Sequence, residues 1–353
     1  MSVVRNNIAV MPGYVPGEQP QSGRFIKLNT NECPYLPSPR IAEACLEKIR
    51  QGLNRYPDPM GNLFRRAAAE KFGVPMEFIL TGNGSDDILT ILTRTFVGEG
   101  ETLRLPYPSY ILYKSLAQLQ NARSEEILFD ENWRLTPEFT APTPGLKLVY
   151  LPNPNSPSGT VLSRQEILAV ADALPCPLVV DEAYADFAEE NCVDLVLQNR
   201  NIIVTRTLSK SYGLAGLRFG FVIAHPDWIQ EFVKVKDSYN CDALSIVAAT
   251  AAFSDESWFV ETMAKMKKTR EAMVPQLEKL GFHVTPSQAN FLWCTMPQRP
   301  LRPIYQTLRE ENIFVRYMPY DRWPYGNGEG LRISVGTDEE VEILMKRLGE
   351  ILS

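Results

Sequence analysis

Between residues 79 and 224 the chain alternates short apolar runs with stretches whose apolar positions recur at helical spacing. The runs Ile79-Leu80, Lys147–Leu151, Leu178-Val179-Val180, Ile202-Ile203-Val204 and Phe219–Ala224 are too short for helices and too continuously apolar for strands with one wet face. They predict strands covered on both sides. With the helical pattern of Ser163–Leu174 among them, the alternation predicts a mostly parallel sheet flanked by helices. Helices are also predicted over residues 38–51, starting after Pro39, over Pro226–Val235 and over Asp255–Leu280. Pro275 should kink or interrupt the last of these, and Gly281 should end it. Strands near 288–294, 313–317 and 330–335, with a closing helix from 338, predict a second, smaller α/β unit. The division expected is an N-terminal arm over 1–37 contributing to the small domain, a large domain over 38–280 and a small C-terminal domain over 281–353.

Composition narrows the class. The chain has 353 residues, enough for more than one domain, with 22 % charged residues and a net charge of −6, which argues against a nucleic-acid surface. Its six cysteines, Cys33, Cys45, Cys176, Cys192, Cys241 and Cys294, show no C-x-x-C spacing and read as reduced thiols. Two histidines, His225 and His283, argue against a histidine-rich metal site or a Ser-His-Asp hydrolase. No apolar run approaches the ~18 residues that span a membrane, and no leader pattern opens the sequence. The expectation is a cytoplasmic enzyme without metal, membrane or nucleic acid.

Chemistry concentrates in three places. Ile79-Leu-Thr-Gly-Asn-Gly-Ser-Asp-Asp87 reads as strand, glycine turn and helix start, an arrangement that aims backbone N–H groups at one point and suits a phosphate; it could equally be a capped turn. The run Pro177-Leu-Val-Val-Asp-Glu-Ala-Tyr184 puts Asp181 at a strand's carboxyl end, where open α/β sheets bind ligands. That carboxylate either caps the next helix or pairs with a cation, such as a protonated pyridine nitrogen. Thr205–Phe221 carries Lys210 between Ser209 and Ser211, then Arg218, just beyond a strand. Lys210 reads either as a surface lysine or as an amine forming a Schiff base with an aldehyde cofactor whose phosphate Ser209 and Arg218 hold.

These stretches, in this order, with Asn153-Pro-Asn-Ser-Pro-Ser-Gly159 between them and Leu331-Arg-Ile-Ser-Val-Gly-Thr337 after them, resemble the fold type I aminotransferases that depend on pyridoxal 5′-phosphate (PLP). Within that class the sequence is most similar to the histidinol-phosphate aminotransferase family. The resemblance implies that Lys210, Asp181 and Tyr184 are catalytic, with Asp181 on the ring nitrogen and Tyr184 on the ring oxygen. It implies that Gly84, Ser85, Asp86, Ser209 and Arg218 hold the phosphate, that Tyr110 stacks on the ring, and that Tyr56 reaches the cofactor of a partner subunit across a homodimer with shared active sites. Tyr14, Asn31, Arg316 and Arg332 are implied to face the substrate. A guanidinium fork at Arg332 or Arg316 matches a carboxylate or phosphate. The family's N-P-N-N-P-T-G becomes N-P-N-S-P-S-G here, so Ser156 stands where an asparagine meets the ring oxygen; Asn155 is expected to take over that contact. Cys33 likewise replaces a usual asparagine.

The implied reaction is ping-pong transamination from histidinol phosphate to 2-oxoglutarate, a step of histidine biosynthesis. Alternatives are an aromatic amino-acid aminotransferase acting on phenylalanine or tyrosine, a threonine-phosphate decarboxylase, and a non-enzymatic PLP-binding module. A nucleotide-binding reading of residues 81–87 lacks the G-K-[ST] of a P-loop.

Overall fold

Period-two alternation along the central strands sets the architecture. In the strand Leu178–Asp181, Leu178 and Val180 enter one apolar cluster while Val179 enters another on the opposite face. Leu148 and Tyr150 separate from Val149 and Leu151 in the same way. Both faces must therefore be covered, and helices cover them. The computed structural model describes residues 3–13, 17–20 and 23–353. Among these, the strands are β1 (Ile26–Leu28), β2 (Ile79–Gly82), β3 (Thr102–Tyr107), β4 (Arg123–Leu128), β5 (Leu146–Pro152), β6 (Leu178–Asp181), β7 (Ile202–Thr207), β8 (Gly220–Ile223), β9 (His283–Thr285), β10 (Phe291–Thr295), β11 (Ile313–Pro319) and β12 (Glu329–Ser334).

Two sheets result. The larger runs β2-β8-β7-β6-β5-β3-β4, and the smaller runs β1-β11-β12-β10-β9. In the larger sheet β3 to β7 pair in parallel, and β8 alone is antiparallel to both neighbours. This is the mixed α/β, mostly parallel sheet expected. Four of the parallel strands, β3, β5, β6 and β7, end at Tyr107, Pro152, Asp181 and Thr207, and all four residues line one cavity.

The smaller sheet takes its edge strand β1 from the N-terminal region, parallel to β11. Its apolar face packs on the helix Glu256–Lys279 through Met263, Met266, Met273 and Leu277. That helix corrects one expectation, because Pro275 lies inside it without ending it. Proline removes one backbone donor and crowds the preceding turn, yet Met273 and Leu277 on either side are fully buried, and their burial favours the continuous helix. Gly281, at φ +89°, follows its last turn. The helix Ala243–Phe253 was not predicted. Ser245, Ile246, Ala248, Ala249, Ala252 and Phe253 are all buried, so its sequence has no polar face to reveal a period.

Candidate active site

The cavity at the strand ends has a volume of about 530 Å³, and both sheets contribute to its walls. From the larger sheet's side come Ser85, Asp86, Tyr110, Asp181, Tyr184, Ser209, Lys210 and Arg218; from the smaller come Arg316 and Arg332; Asn31 follows β1. Residues scattered over three hundred positions thus meet because the chain returns to the same sheet edge after each helix.

Asp181 closes β6 and is almost wholly buried. Its Oδ2 accepts a hydrogen bond from Tyr113 Oη at 2.6 Å, and its Oδ1 accepts from Thr205 Oγ1 at 3.1 Å. Among the described residues no lysine or arginine pairs with it. Burial pushes its carboxyl above the ordinary carboxylate range, although Tyr113 and Thr205 pull the other way. A carboxylate in that condition suits a cation brought by a ligand, such as a protonated ring nitrogen. Sequence reasoning missed both supporting hydroxyls. Thr205 lies directly opposite Asp181 in the parallel register of β6 and β7, a relation visible only once the register is known.

Lys210 follows β7, and its Nζ donates to the carbonyl of Thr30 at 2.9 Å. The same Nζ lies 5.9 Å from the centre of the Tyr184 ring. Tyr184 Oη accepts from Asn31 Nδ2 at 2.9 Å, which ties the β1 segment to the large sheet. Asn31, at φ +56°, is held in turn by Ser334, whose Oγ accepts its backbone N–H and donates to its Oδ1, both at 2.9 Å.

An anion cradle lies beside Lys210. The helix Ser85–Phe96 begins at Gly84, and no side chain caps it. Arg218 extends over this end, its Nη1 donating to Ser209 Oγ at 3.2 Å and its Nη2 lying 3.3 Å from Asp86 Oδ2. Asp86 also accepts from Tyr110 Oη at 3.2 Å. With its carboxylate so engaged, what Asp86 offers an anion is its backbone N–H in the first turn. Gly84, at φ +84°, gives Arg218 its space, since a Cβ there would come within 2.6 Å of Nη2.

Arg316 and Arg332 stand directly opposite one another in the antiparallel pair of β11 and β12, and both line the cavity. Arg332 Nη1 donates to Ser156 Oγ at 2.9 Å and Nη2 to the carbonyl of Asn29 at 3.0 Å. Two expected residues lie outside this cavity, Asn155 and Tyr56. Asn155 is buried behind the wall, where its Nδ2 donates to Ser158 Oγ at 2.9 Å and the Pro108 carbonyl at 3.3 Å; the residue on the cavity surface is Ser156. Tyr56 is 80 % exposed and stacks on Tyr239, with ring centres 4.4 Å apart. Tyr14 lies outside the described residues.

A buried carboxylate awaiting a cation, an anion cradle and a lysine between them fit a phosphorylated pyridine aldehyde. The family model described as "Aminotransferase class I and II" matches residues 23–348. Fold and site together therefore define an aminotransferase of class I and II. Relatives place it further. A histidinol-phosphate aminotransferase of Rhodopirellula baltica is 56 % identical, over 97 % of this chain and 93 % of that one. One of Geotalea daltonii is 43 % identical, over 99 % of this chain and the whole of its own. The chain belongs to the histidinol-phosphate aminotransferase family. Among solved structures, the histidinol-phosphate aminotransferase of Sinorhizobium meliloti in complex with pyridoxal-5′-phosphate superimposes with a TM-score of 0.87 at 26 % identity, covering all of this chain and 98 % of the other. An L-threonine-O-3-phosphate decarboxylase of Porphyromonas gingivalis reaches a TM-score of 0.78 at 21 % identity, covering 92 % of this chain and 98 % of the other, a likeness of fold alone.

Proposed function

We propose that the chain transfers the amino group of histidinol phosphate to 2-oxoglutarate, using PLP. PLP supplies an aldehyde that captures the amine and a ring that accepts electrons from the substrate α-carbon. The chain supplies the rest. Asp181 holds the ring nitrogen in its cationic form, while Ser209, Arg218 and the Gly84–Asp86 turn anchor the phosphate. Tyr184, held by Asn31, would meet the ring oxygen, with Ser156 also on the cavity wall. Lys210 Nζ takes the proton from the α-carbon of the donor, and in the second half-reaction it gives one to the α-carbon of the new amino acid. The shared pocket implies that donor and acceptor use it in turn, with Arg332 orienting both.

The observation that carries the choice of substrate is the pairing of Arg316 and Arg332. Like charges directly across a strand pair repel, so two guanidiniums on one cavity wall call for a ligand with more than one negative charge. A phosphate monoester meets that demand, and so do the two carboxylates of 2-oxoglutarate. The single carboxylate of phenylalanine does not. The test is the visible absorption of the PLP-loaded protein during separate additions of histidinol phosphate and phenylalanine. Rapid bleaching by histidinol phosphate, reversed by 2-oxoglutarate, is expected; faster bleaching by phenylalanine would move the protein to the aromatic aminotransferases.

The assembly we propose is a homodimer with Tyr56 reaching the partner's cofactor phosphate, in the cytoplasm. The solvent-facing helix Arg40–Gln51, which has no fully buried residue, and the exposed Leu36, Leu53 and Tyr56 beside it supply an apolar face for that contact. All six cysteines are unpaired, and burial pushes Cys33 and Cys176 up to about 11, so their thiols stay protonated and unreactive. Among the described residues no helix is long and apolar enough to cross a membrane.

A further inference from the structure

Part of the cavity wall has no role in the chemistry described above. Tyr107, Ile111, Lys114, Glu126 and Tyr320 line it, and Glu126 is the one carboxylate among them. Glu126 lies on β4, the edge strand of the large sheet, beside Leu105 of β3. Its side chain is only 10 % exposed. Its Oε2 accepts from Lys114 Nζ at 2.9 Å and from Arg322 Nη1 at 2.8 Å. Among the described residues no donor is bonded to its Oε1. Glu126 lines the cavity, so that oxygen is open to a donor that a ligand brings.

The surroundings say what kind of ligand. The Arg322 guanidinium lies 4.6 Å from the centre of the Tyr107 ring, and that ring meets the Tyr320 ring edge-on at 5.7 Å. Flat, rigid surfaces thus share the cavity wall with a carboxylate whose single negative charge two cations already more than offset. The wall is suited to a planar ring carrying an N–H, more than to a second ammonium, because Lys114 and Arg322 would repel a full positive charge. A neutral imidazole presents one ring N–H donor. Resting on the substrate reading above, we infer that Glu126 Oε1 accepts the ring N–H of the donor amine and so sets the preference for an imidazole over a phenyl ring. Glu126 is then a specificity residue that plays no part in moving the α-proton.

The experiment compares two donors on the PLP-loaded enzyme, histidinol phosphate and its phenyl counterpart, phenylalaninol phosphate, by single-turnover bleaching in wild type, Glu126→Gln and Glu126→Leu. The phenyl ring has no N–H to lose. The ratio of kcat/KM for histidinol phosphate over phenylalaninol phosphate is expected to fall about 10- to 100-fold in Glu126→Leu, the effect of losing a hydrogen bond to a charged acceptor, and by less in Glu126→Gln, whose amide oxygen still accepts. Because both donors are measured on one preparation, partial misfolding cancels from the ratio. A ratio unchanged within about twofold in Glu126→Leu overturns the inference, since a purely structural Glu126 would lower both rates together. Wild-type enzyme that fails to react with histidinol phosphate overturns the substrate reading itself, and the inference falls with it.

Discussion

At the scale of single residues, Asp181 holds the most consequential charge. In the cofactor-free protein burial raises its carboxyl above the ordinary value of 3.8. The folded state then binds that proton more tightly than the unfolded chain does. The group's contribution to stability is full below the unfolded value and is lost as pH rises through the folded one. A ring cation removes the cause by favouring the ionised form. The gain in Tm on adding PLP is therefore expected to grow as pH rises through and beyond the carboxylate range. Asp181→Asn should flatten that growth. Equal slopes of Tm gain against pH in the variant and the wild type would contradict this account. Glu182, also raised by burial, is present in both proteins and cancels in the comparison. The identity of Asp181 was legible in the sequence, from its place after an apolar run; its hydroxyl partners Tyr113 and Thr205 were not, because one comes from a helix after β3 and the other from a neighbouring strand.

At the scale of elements, the anion cradle depends on how closely β8 approaches the start of the helix Ser85–Phe96. Gly220 is the point of contact. A Cβ there would stand 2.6 Å from the backbone N of Ser85 and 2.7 Å from the carbonyl carbon of Gly84, atoms that cannot move without displacing the turn. Gly220→Ala is expected to weaken PLP binding at least about tenfold and to lower stability by about 1–3 kcal/mol, the usual cost of overpacking. Equilibrium binding of PLP and urea unfolding measure the two effects, and unchanged affinity would show that the turn is not the anchor proposed here. The sequence pointed to Gly84 through its turn motif, yet gave no reason to single out Gly220, whose role exists only because β2 and β8 pair. The long helix Glu256–Lys279 makes a similar point, since it gives its buried methionines to the small sheet although it precedes Gly281. We propose that the division between the domains lies nearer the start of that helix than its end.

At the scale of the whole molecule, the proposed dimer has its own test. The protein is expected to elute at about twice its chain mass of 39.9 kDa. Tyr56→Phe should leave that mass unchanged while weakening PLP binding roughly tenfold, the loss of one hydrogen bond to an anion. A monomeric, fully active enzyme would refute the shared-site arrangement. The exposed stack of Tyr56 on Tyr239 makes sense in this light, as an aromatic surface with an unused hydroxyl-bearing edge.

The sequence by itself determined the central strands of the large sheet, the order of the motifs and which chemistry Lys210, Asp181, Arg218 and Arg332 could offer, because each of these is written in a local pattern: an apolar run, a glycine turn, a charged residue beside or within a strand. Local patterns fix local conformation and say which chemistry is available. Tertiary structure alone decided that Ser156 and not Asn155 faces the cavity, that Pro275 sits within a continuous helix, that Arg316 stands opposite Arg332, and that Glu126 joins the wall of the site. Each of these depends on register, burial or packing between segments far apart in the chain, and those quantities arise only when the sheets have formed.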